Sequence, residues 1–311
     1  MCWHGHGRVP YRTRADELPA ALHVKPAAFQ YLAPRSVAEA VAFLSEHGDE
    51  AKVIAGGQSL VPMMAFRLAT PSVLIDLNGV AELEHARIDG DVVVLGAMAR
   101  HAGVQTLEGL ARRAPVIAEG VALIGHPAIR NRGTVGGSLA HADPAAEWPG
   151  ILLALDGEVE ATGPGGRRAV AAGALFDTYF TTTLQPDELI TEVRLPLPRG
   201  GSAFVEFAQR HGDFALAGVA AVLRTSNEGT VEDASIALIG VGDTPVRAVQ
   251  AESLVRGAEP TDEAFDEVAR AVESAVDPLS DVHGSSAYRR RLAGALTRRA
   301  LRLARDRAEA A

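Results

Sequence analysis

The sequence predicts an α+β protein with a separate C-terminal unit, and its composition, element order and one break in the chain support this. The 311 residues are 47% hydrophobic, with 31 glycines and only 5% aromatic residues. This composition is typical of a mixed helix-and-strand protein rather than an all-β sandwich. Helical and strand patterns are interspersed along the chain. A proline- and glycine-rich run at 196–201 indicates a domain boundary. We therefore expect an extension over 1–24, one domain over 25–198 and another over 199–311.

Charge and cysteine content argue against several classes of protein. A formal net charge of -9 argues against a nucleic acid partner. The single cysteine, Cys2, cannot supply the roughly four thiolates of an iron–sulfur cluster. Cys2, His4 and His6 could ligate a metal, but we interpret 1–24 as a polar tail and predict no metal site. No apolar run approaches the roughly 20 residues that span a bilayer, and no secretory signal is recognisable, so we expect no membrane span and a cytoplasmic location.

The first elements predict a small α/β unit. Ser36 and Glu39 form a capping box in front of an apolar helical stripe that ends at Gly48. A strand at Val53–Ala55 runs directly into a Gly-Gly turn, and a second strand follows at Val73–Ile75. Helix, strand, loop, helix and strand in this order are typical of such a unit.

Hairpins, strands and two long helices are expected in the rest of the chain. Asp89-Gly90 lies between two apolar runs and predicts a hairpin over 86–95, and a second hairpin is expected around 163–166. A further strand at Leu189–Leu195 precedes the domain boundary. Beyond it, the expected strands and helices are Ala203–Ala208, Ala215–Leu223, Ala234–Val241, Asp262–Ser274 and Ser286–Arg307.

Two glycine-rich segments carry the functional prediction. The first loop, Ala55–Ser59, follows a buried strand, and the second loop, Thr134–Ser138, follows a helical stretch. Paired glycines let the backbone approach a ligand and can point successive N–H groups into one concavity, and the flanking hydroxyl groups add donors. One such loop alone is usually only a tight turn. Two of them predict a polyanion held from two sides, for which a pyrophosphate is the natural candidate.

The common nucleotide-binding motifs do not occur in this sequence. A P-loop needs Gly-Lys-Ser/Thr after its glycines, and the chain has no such triplet. A Rossmann fingerprint needs a third glycine after Gly240-Val241-Gly242, but Pro245 stands in its place. A bound dinucleotide therefore requires a non-Rossmann mode of binding.

Two carboxylates follow the second loop, four residues apart, at Asp143 and Glu147. Either could accept hydrogen bonds from the sugar or ring N–H groups of a nucleotide. Asp143 could equally cap a helix that begins at Pro144, because proline suits the first helical position. Glu147 could equally be a surface acid. Both interpretations of each residue stay open.

The residues around both loops resemble a known family. The matching runs are AGGQSLVPMM at 55–64, RLATP at 67–71, IDL at 75–77, IRNRGTVGGSLAHADPA at 129–145 and PDELITEVRLP at 186–196. They resemble the FAD-binding medium subunit of molybdenum hydroxylases of the carbon monoxide dehydrogenase and xanthine dehydrogenase type. The likeness extends from about residue 26 to about residue 304. It implies a two-subdomain FAD-binding fold of the vanillyl-alcohol oxidase (PCMH) type, with subdomains at about 25–80 and 81–198, followed by an α+β C-terminal domain with an antiparallel sheet and helices.

The resemblance also implies cofactor-binding residues. The two loops would hold the pyrophosphate and adjoining ribityl of FAD, Ile124 and Ile190 would pack on the cofactor, and Glu147 would hydrogen-bond it. The full predicted set is Ala55, Gly56, Gly57, Gln58, Ser59, Leu60, Ile124, Thr134, Val135, Gly136, Gly137, Ser138, Asp143, Glu147 and Ile190. Two positions depart from the family: Gln58 stands where histidine is common, and Glu206 where some relatives place a lysine near the isoalloxazine. No catalytic acid or base is predicted, and His126, His141 and His211 are at most weak candidates.

The resulting hypothesis is an FAD-binding electron-transfer subunit. Because this chain has one cysteine, the resemblance implies [2Fe-2S] clusters on a small iron–sulfur subunit and molybdenum-molybdopterin on a large subunit, in a dimer of heterotrimers. Electrons would pass from the [2Fe-2S] subunit to FAD and then to an external acceptor. Two alternatives stay open: a self-contained FAD-dependent oxidoreductase of the same fold, and a non-enzymatic binding module whose glycine loops are only turns.

Overall fold

The computed structural model describes residues 25–309, which form three consecutive units, each with its own main sheet. The predictions made for 1–24, including those for Cys2, His4 and His6, lie outside the described residues. Within 25–309, no helix is long and apolar enough to cross a membrane. The same residues contain no cluster of three or more His, Cys, Asp or Glu side chains that could hold a metal ion.

The first unit is a parallel three-stranded sheet in the order β1-β3-β2. Its elements are β1 (Gln30–Leu32), α1 (Val37–His47), a 3-10 turn (Gly48–Glu50), β2 (Ala51–Ile54), α2 (Leu60–Ala65) and β3 (Val73–Asp76). Helix α1 begins as predicted, with the Ser36 hydroxyl accepting the Glu39 N–H at 3.2 Å. The Glu39 carboxylate accepts the N–H of Arg35 rather than that of Ser36, so the capping box is displaced by one residue. The predicted order of elements is confirmed.

The second unit is an antiparallel five-stranded sheet in the order β4-β5-β10-β6-β7, with helices packed on it. Both predicted hairpins are confirmed. Two 3-10 turns (Leu77–Gly79 and Ala81–Leu83) lead into the unit. Its strands are β4 (Ala86–Asp89), β5 (Val92–Gly96), β6 (Glu158–Gly163), β7 (Gly166–Ala171) and β10 (Leu189–Pro196), with a separate ribbon of β8 (Phe176–Thr178) and β9 (Thr181–Thr182). Its helices are α3 (His101–Gln105), α4 (Leu110–Arg113), α5 (Pro115–Leu123), α6 (Pro127–Arg130), α7 (Val135–His141), α8 (Glu147–Ala154) and α9 (Ala172–Leu175).

The third unit is an antiparallel sheet in the order β11-β12-β13-β14 with helices packed against it. Its elements are β11 (Gly201–Phe207), β12 (Ala217–Thr225), β13 (Val231–Ile239), β14 (Val246–Arg247), α10 (Val249–Val255), α11 (Asp262–Ala275) and α12 (Ser286–Ala308). The predicted strands and helices are present, with ends displaced by at most three residues. Element ends are the part of a fold that sequence patterns define least well.

The second and third units meet at an apolar surface, which we call the domain junction. A Cβ built on Gly150 of α8 would lie 2.7 Å from the Ile239 side chain of β13, so the helix and sheet approach too closely for any larger residue. At one edge, the Glu119 carboxylate of α5 accepts the Phe204 N–H at 2.9 Å and pairs with Arg307 of α12. The C-terminal helix is therefore fastened to the second unit.

Candidate functional site

The two glycine loops lie directly against each other. A Cβ built on Gly56 would lie 2.4 Å from the carbonyl oxygen of Arg132 and 2.7 Å from the Cα of Gly133. A Cβ built on Gly137 would lie 3.4 Å from the Cβ of Ala55. The structure thus brings together two segments that are about eighty residues apart in the sequence.

The first loop presents unengaged donors. Among the described residues, the backbone N–H groups of 56–59 donate to no other protein group. Gly57 adopts φ +71°, a left-handed conformation that reverses the chain after β2. The Gln58 side chain folds back and donates to the carbonyl oxygen of Gly56 at 2.9 Å. Successive free N–H groups in such a turn form a concavity that binds anions.

We predicted that the second loop would also present a row of free N–H groups, and the structure shows that it does not. Thr134 is the N-cap of α7, and all four N–H groups that follow it are already used within the protein. The pairs are Val135 with the Ala99 carbonyl at 3.1 Å, Gly136 with the Ala97 carbonyl at 2.9 Å, Gly137 with the Thr134 hydroxyl at 3.1 Å and Ser138 with the Thr134 carbonyl at 3.0 Å. This loop can therefore offer a ligand close backbone approach and the Ser138 hydroxyl, but no free N–H groups at 135–138.

Asn78 and Arg100, which we call the loop clasp, connect the two loops. The Asn78 amide donates to the Ala55 carbonyl of the first loop at 3.0 Å. The Arg100 guanidinium donates to the Asn78 side-chain oxygen and to the Arg132 carbonyl beside the second loop. Asp76 orients Asn78 by accepting its N–H at 2.9 Å. Our sequence reasoning missed both clasp residues, although a polar residue just past the end of a parallel strand, as at Asn78, is a usable signal.

The buried side chains of His101 and Trp148 pack against the backbone just before the second loop. A Cβ built on Gly133, the residue before the second loop, would lie 2.7 Å from the His101 ring, so the backbone at this point packs directly on that side chain. The Trp148 indole N–H donates to His101 Nδ1 at 3.1 Å, and both residues are buried. Burial lowers the pKa of His101 to about 4. The imidazole is therefore neutral and acts as an acceptor, and sequence reasoning did not identify it.

The interpretation of Asp143 as the cap of a helix at Pro144 is wrong. Helix α8 begins only at Glu147, and its N-cap, Ala146, makes no side-chain hydrogen bond. Asp143 instead lies in the turn between α7 and α8, where its carboxylate accepts the Ala145 N–H at 2.9 Å. Burial raises the pKa of Asp143 above its ordinary value.

Glu147 is not a surface acid, because it is only 8% exposed. Burial and, to a smaller extent, the nearby negative charge of Glu206 raise the pKa of Glu147 to about 8. Burial also raises the pKa of Glu206 to about 7. The Oε2 atom of Glu206 is buried and has no hydrogen-bond partner among the described residues.

The other predicted residues occupy separate positions around the loops. Leu60 begins α2 directly after the first loop. Ile124 follows α5, and Ile190 lies in β10; both belong to the core of the second unit. Ile190 precedes Thr191, whose carbonyl accepts the Ala97 N–H at 3.0 Å, directly beneath Gly136. The His126 and His211 rings meet edge to face with their centroids 6.1 Å apart, and the centroid of His141 lies 5.0 Å from that of the Phe180 ring.

Comparison with known proteins identifies the family to which this chain belongs. Residues 27–198 match the family model described as the FAD binding domain in molybdopterin dehydrogenase, and residues 202–304 match that of the CO dehydrogenase flavoprotein C-terminal domain. The chain belongs to the family of FAD-binding medium subunits of molybdenum hydroxylase-type dehydrogenases. It is 41% identical to the 6-hydroxypseudooxynicotine dehydrogenase complex subunit alpha of Paenarthrobacter nicotinovorans, over 92% of this chain and 97% of the relative. It is 38% identical to the carbon monoxide dehydrogenase medium chain of Afipia carboxidovorans, over 91% and 99% respectively.

A solved structure supports the same assignment. The medium-subunit fold matches a chain of the carbon monoxide dehydrogenase from Hydrogenophaga pseudoflava, in a form that lacks the Mo-pyranopterin moiety of the molybdenum cofactor. The TM-score is 0.88 and the identity 40%, covering 91% of this chain and 99% of the other. The predicted α+β class, with an FAD-binding domain followed by a C-terminal domain, is therefore confirmed. The chain is an oxidoreductase component, and it binds FAD as the medium subunit of a multi-subunit dehydrogenase.

Proposed function

We propose that this medium subunit holds FAD between its two glycine loops, takes electrons from a partner [2Fe-2S] subunit and passes them to an external acceptor. The observation that carries the proposal is that the backbone N–H groups of 56–59 donate to no other group among the described residues. The second loop lies directly beside them, because Gly56 and Gly137 have no side chains to hold the two loops apart. Such a concavity matches a pyrophosphate, which carries negative charge and accepts several hydrogen bonds.

The two loops have different roles in this proposal. The first loop donates backbone hydrogen bonds to the pyrophosphate, while the second loop forms the opposite wall and contributes the Ser138 hydroxyl. The loop clasp sets the distance between them, because Asn78 binds the first loop and Arg100 reaches the second. The proposed binding residues remain Ala55, Gly56, Gly57, Gln58, Ser59, Leu60, Ile124, Thr134, Val135, Gly136, Gly137, Ser138, Asp143, Glu147 and Ile190.

Bound FAD supplies the electron exchange, and the protein binds, orients and shields it. Ile124 and Ile190 provide apolar surface, which excludes water from the part of the cofactor that they cover. Glu147 is buried and has a raised pKa, so at neutral pH it holds a proton and can donate a hydrogen bond as well as accept one. No residue of this chain is proposed to transfer a proton to a substrate, because the proposed substrate site lies on another subunit.

The proposed partners are a small iron–sulfur subunit and a large molybdenum-molybdopterin subunit, in a dimer of heterotrimers. Two facts support this division. The chain has a single cysteine, so relay clusters that need about four thiolates each must lie elsewhere. The relatives are themselves named as a subunit of a dehydrogenase complex and as a medium chain.

The test is reconstitution of the purified chain, first with FAD and then with partners. We expect a yellow 1:1 complex that shows the visible absorbance of oxidised flavin and is reduced by substrate only when the partner subunits are present. Gly57→Val and Gly137→Val should each abolish FAD retention while the C-terminal domain stays folded, whereas Gly165→Val, in a hairpin turn with no atom within 4 Å of its built Cβ, should retain FAD. Turnover of a small donor by the isolated chain would favour a self-contained oxidoreductase. Failure of the wild-type chain to bind FAD would refute the proposal.

A further inference from the structure

Asn78, one of the two residues of the loop clasp, is followed directly by a glycine. Asn78-Gly79 is the only Asn-Gly pair in the sequence, because the other two asparagines, Asn131 and Asn227, precede arginine and glutamate. Asn-Gly is a typical turn pair, and here it lies in the 3-10 turn Leu77–Gly79, just beyond β3. Asn78 is exposed at the surface. A contact that holds the first loop in place therefore depends on an exposed side-chain amide.

Close packing favours the glycine at position 79. A Cβ built on Gly79 would lie 3.2 Å from the Pro34 carbonyl oxygen and 3.0 Å from the Arg35 guanidinium. The carbonyl belongs to the backbone and cannot rotate away, so glycine is the residue that fits without a shift of the turn. The missing side chain has a second effect. It removes the steric barrier between the Gly79 backbone nitrogen and the side-chain carbon of Asn78.

An asparagine in front of a glycine is open to an intramolecular reaction, and asparagine is among the chemically labile residues of proteins. The Gly79 backbone nitrogen attacks the Cγ of Asn78, and the C–N bond of the side-chain amide breaks. The departing ammonia takes the N–H proton of Gly79, which leaves a cyclic imide. Water then adds to the imide and opens it to aspartate or to isoaspartate. These steps consume one water and release one ammonia, so they need no oxidant or reductant.

The closed loop clasp holds Asn78 away from this reaction. Its side-chain amide donates to the Ala55 carbonyl at 3.0 Å and to Asp76, and its side-chain oxygen accepts from Arg100. Its backbone N–H donates to Asp76 at 2.9 Å, which fixes the turn. The Cγ of Asn78 can therefore reach the Gly79 nitrogen only when these bonds open. Exposed hydrogen bonds in a surface turn open locally at low free-energy cost.

We propose that Asn78 is a deamidation site that bound FAD protects, and that its conversion to an acid releases the first loop from the clasp. The inference rests on the proposed function, because FAD held between the loops favours the closed clasp. The new carboxylate has no proton to donate to the Ala55 carbonyl, and it faces the like charge of Asp76. Arg100 can still pair with it. A subunit without FAD thus loses its capacity to bind the cofactor with time, whereas a loaded subunit keeps it.

The first experiment incubates the full chain at mildly alkaline pH, with and without FAD, and follows each asparagine by peptide mass spectrometry. Without FAD, Asn78 should convert to aspartate and isoaspartate faster than Asn131 and Asn227. FAD at about 100 times its dissociation constant should slow this conversion about 100-fold, because only the unbound chain reacts. Gly79→Ala shields the backbone nitrogen with a Cβ, at the cost of a small shift beside Pro34, and should suppress it. Conversion at Asn78 no faster than at the other asparagines, or unaffected by bound FAD, would overturn the inference.

The second experiment measures FAD affinity by flavin fluorescence in Asn78→Asp, which reproduces one product of the reaction. Loss of the hydrogen bond to Ala55 should raise the FAD dissociation constant about 2- to 10-fold. Asn227→Asp is the matched control, since it makes the same change of charge at an exposed turn of the third unit, and it should bind FAD like the wild type. Unchanged affinity in Asn78→Asp would overturn the inference and leave the proposed function standing. Absence of FAD binding by the wild-type chain would instead count against the proposed function itself.

Discussion

Replacing Gly56 with alanine tests whether contact between the two loops creates the FAD site. The added Cβ would lie 2.4 Å from the Arg132 carbonyl oxygen, whereas ordinary contacts begin at 3.4 Å, so the loops must separate by about 1 Å. The neighbouring atoms belong to the backbone and cannot rotate away. Overpacking of this kind costs about 1–3 kcal/mol. If FAD requires the native spacing, its dissociation constant should rise by about 10- to 100-fold.

The assay is titration of the FAD-free chain with FAD, combined with urea unfolding. Gly103→Ala is the matched control, since no atom lies within 4 Å of the built Cβ on that helical glycine. The control should bind FAD like the wild type and gain about 0.5–1 kcal/mol of stability. If Gly56→Ala binds FAD within about twofold of the wild type, contact between the loops does not determine affinity and the reasoning is refuted.

Two further predictions concern titration and the loop clasp. Folded Glu147 keeps its proton up to about pH 8, whereas the unfolded chain releases it above about 4.5. Stability without FAD should therefore fall as the pH rises between these values, and Glu147→Gln should reduce the slope by about 1.4 kcal/mol per pH unit in urea unfolding. An unchanged slope would contradict the assignment. The planar guanidinium of Arg100 donates to Asn78 and to the Arg132 carbonyl at once, and the ammonium group of Arg100→Lys cannot reproduce this bridge. FAD dissociation should therefore accelerate about 3- to 10-fold in stopped-flow measurements. Equal rates in both proteins would show that the clasp does not set loop spacing.

Much of the fold was predictable from the sequence because it depends on local signals. Asp89-Gly90 specifies its own hairpin, and the Ser36 hydroxyl caps α1 locally. The Glu82 carboxylate, which accepts the Val37 N–H, is the tertiary part of that cap and was not predicted. The error at Asp143 has a physical cause. Asp side chains accept backbone N–H groups in turns as well as at the start of helices. Here the Asp143 carboxylate accepts the Ala145 N–H in a turn, and no helix begins directly after it.

The site was predictable in outline but not in the roles of its residues. The glycine loops were identified by composition, yet composition cannot show that Gly56 accommodates the Arg132 backbone or that Gly136 lies against Ala97. Hydrogen bonds to the Ala97 and Ala99 carbonyls, which occupy N–H groups of the second loop, depend on tertiary pairing. The burial of the Glu206 Oε2 atom likewise depends on tertiary packing.

The connection between Arg307 and Glu119 also has a consequence for biogenesis. Helix α12 is made long after the loops and Glu147, yet it fastens the sheet of the third unit against α5 by an ion pair and by a hydrogen bond to the Ser202 carbonyl. While the chain emerges from the ribosome, the two glycine loops can fold before this closing helix exists. The contacts of α12 that hold the third unit against the second therefore form only after the rest of the chain has been made.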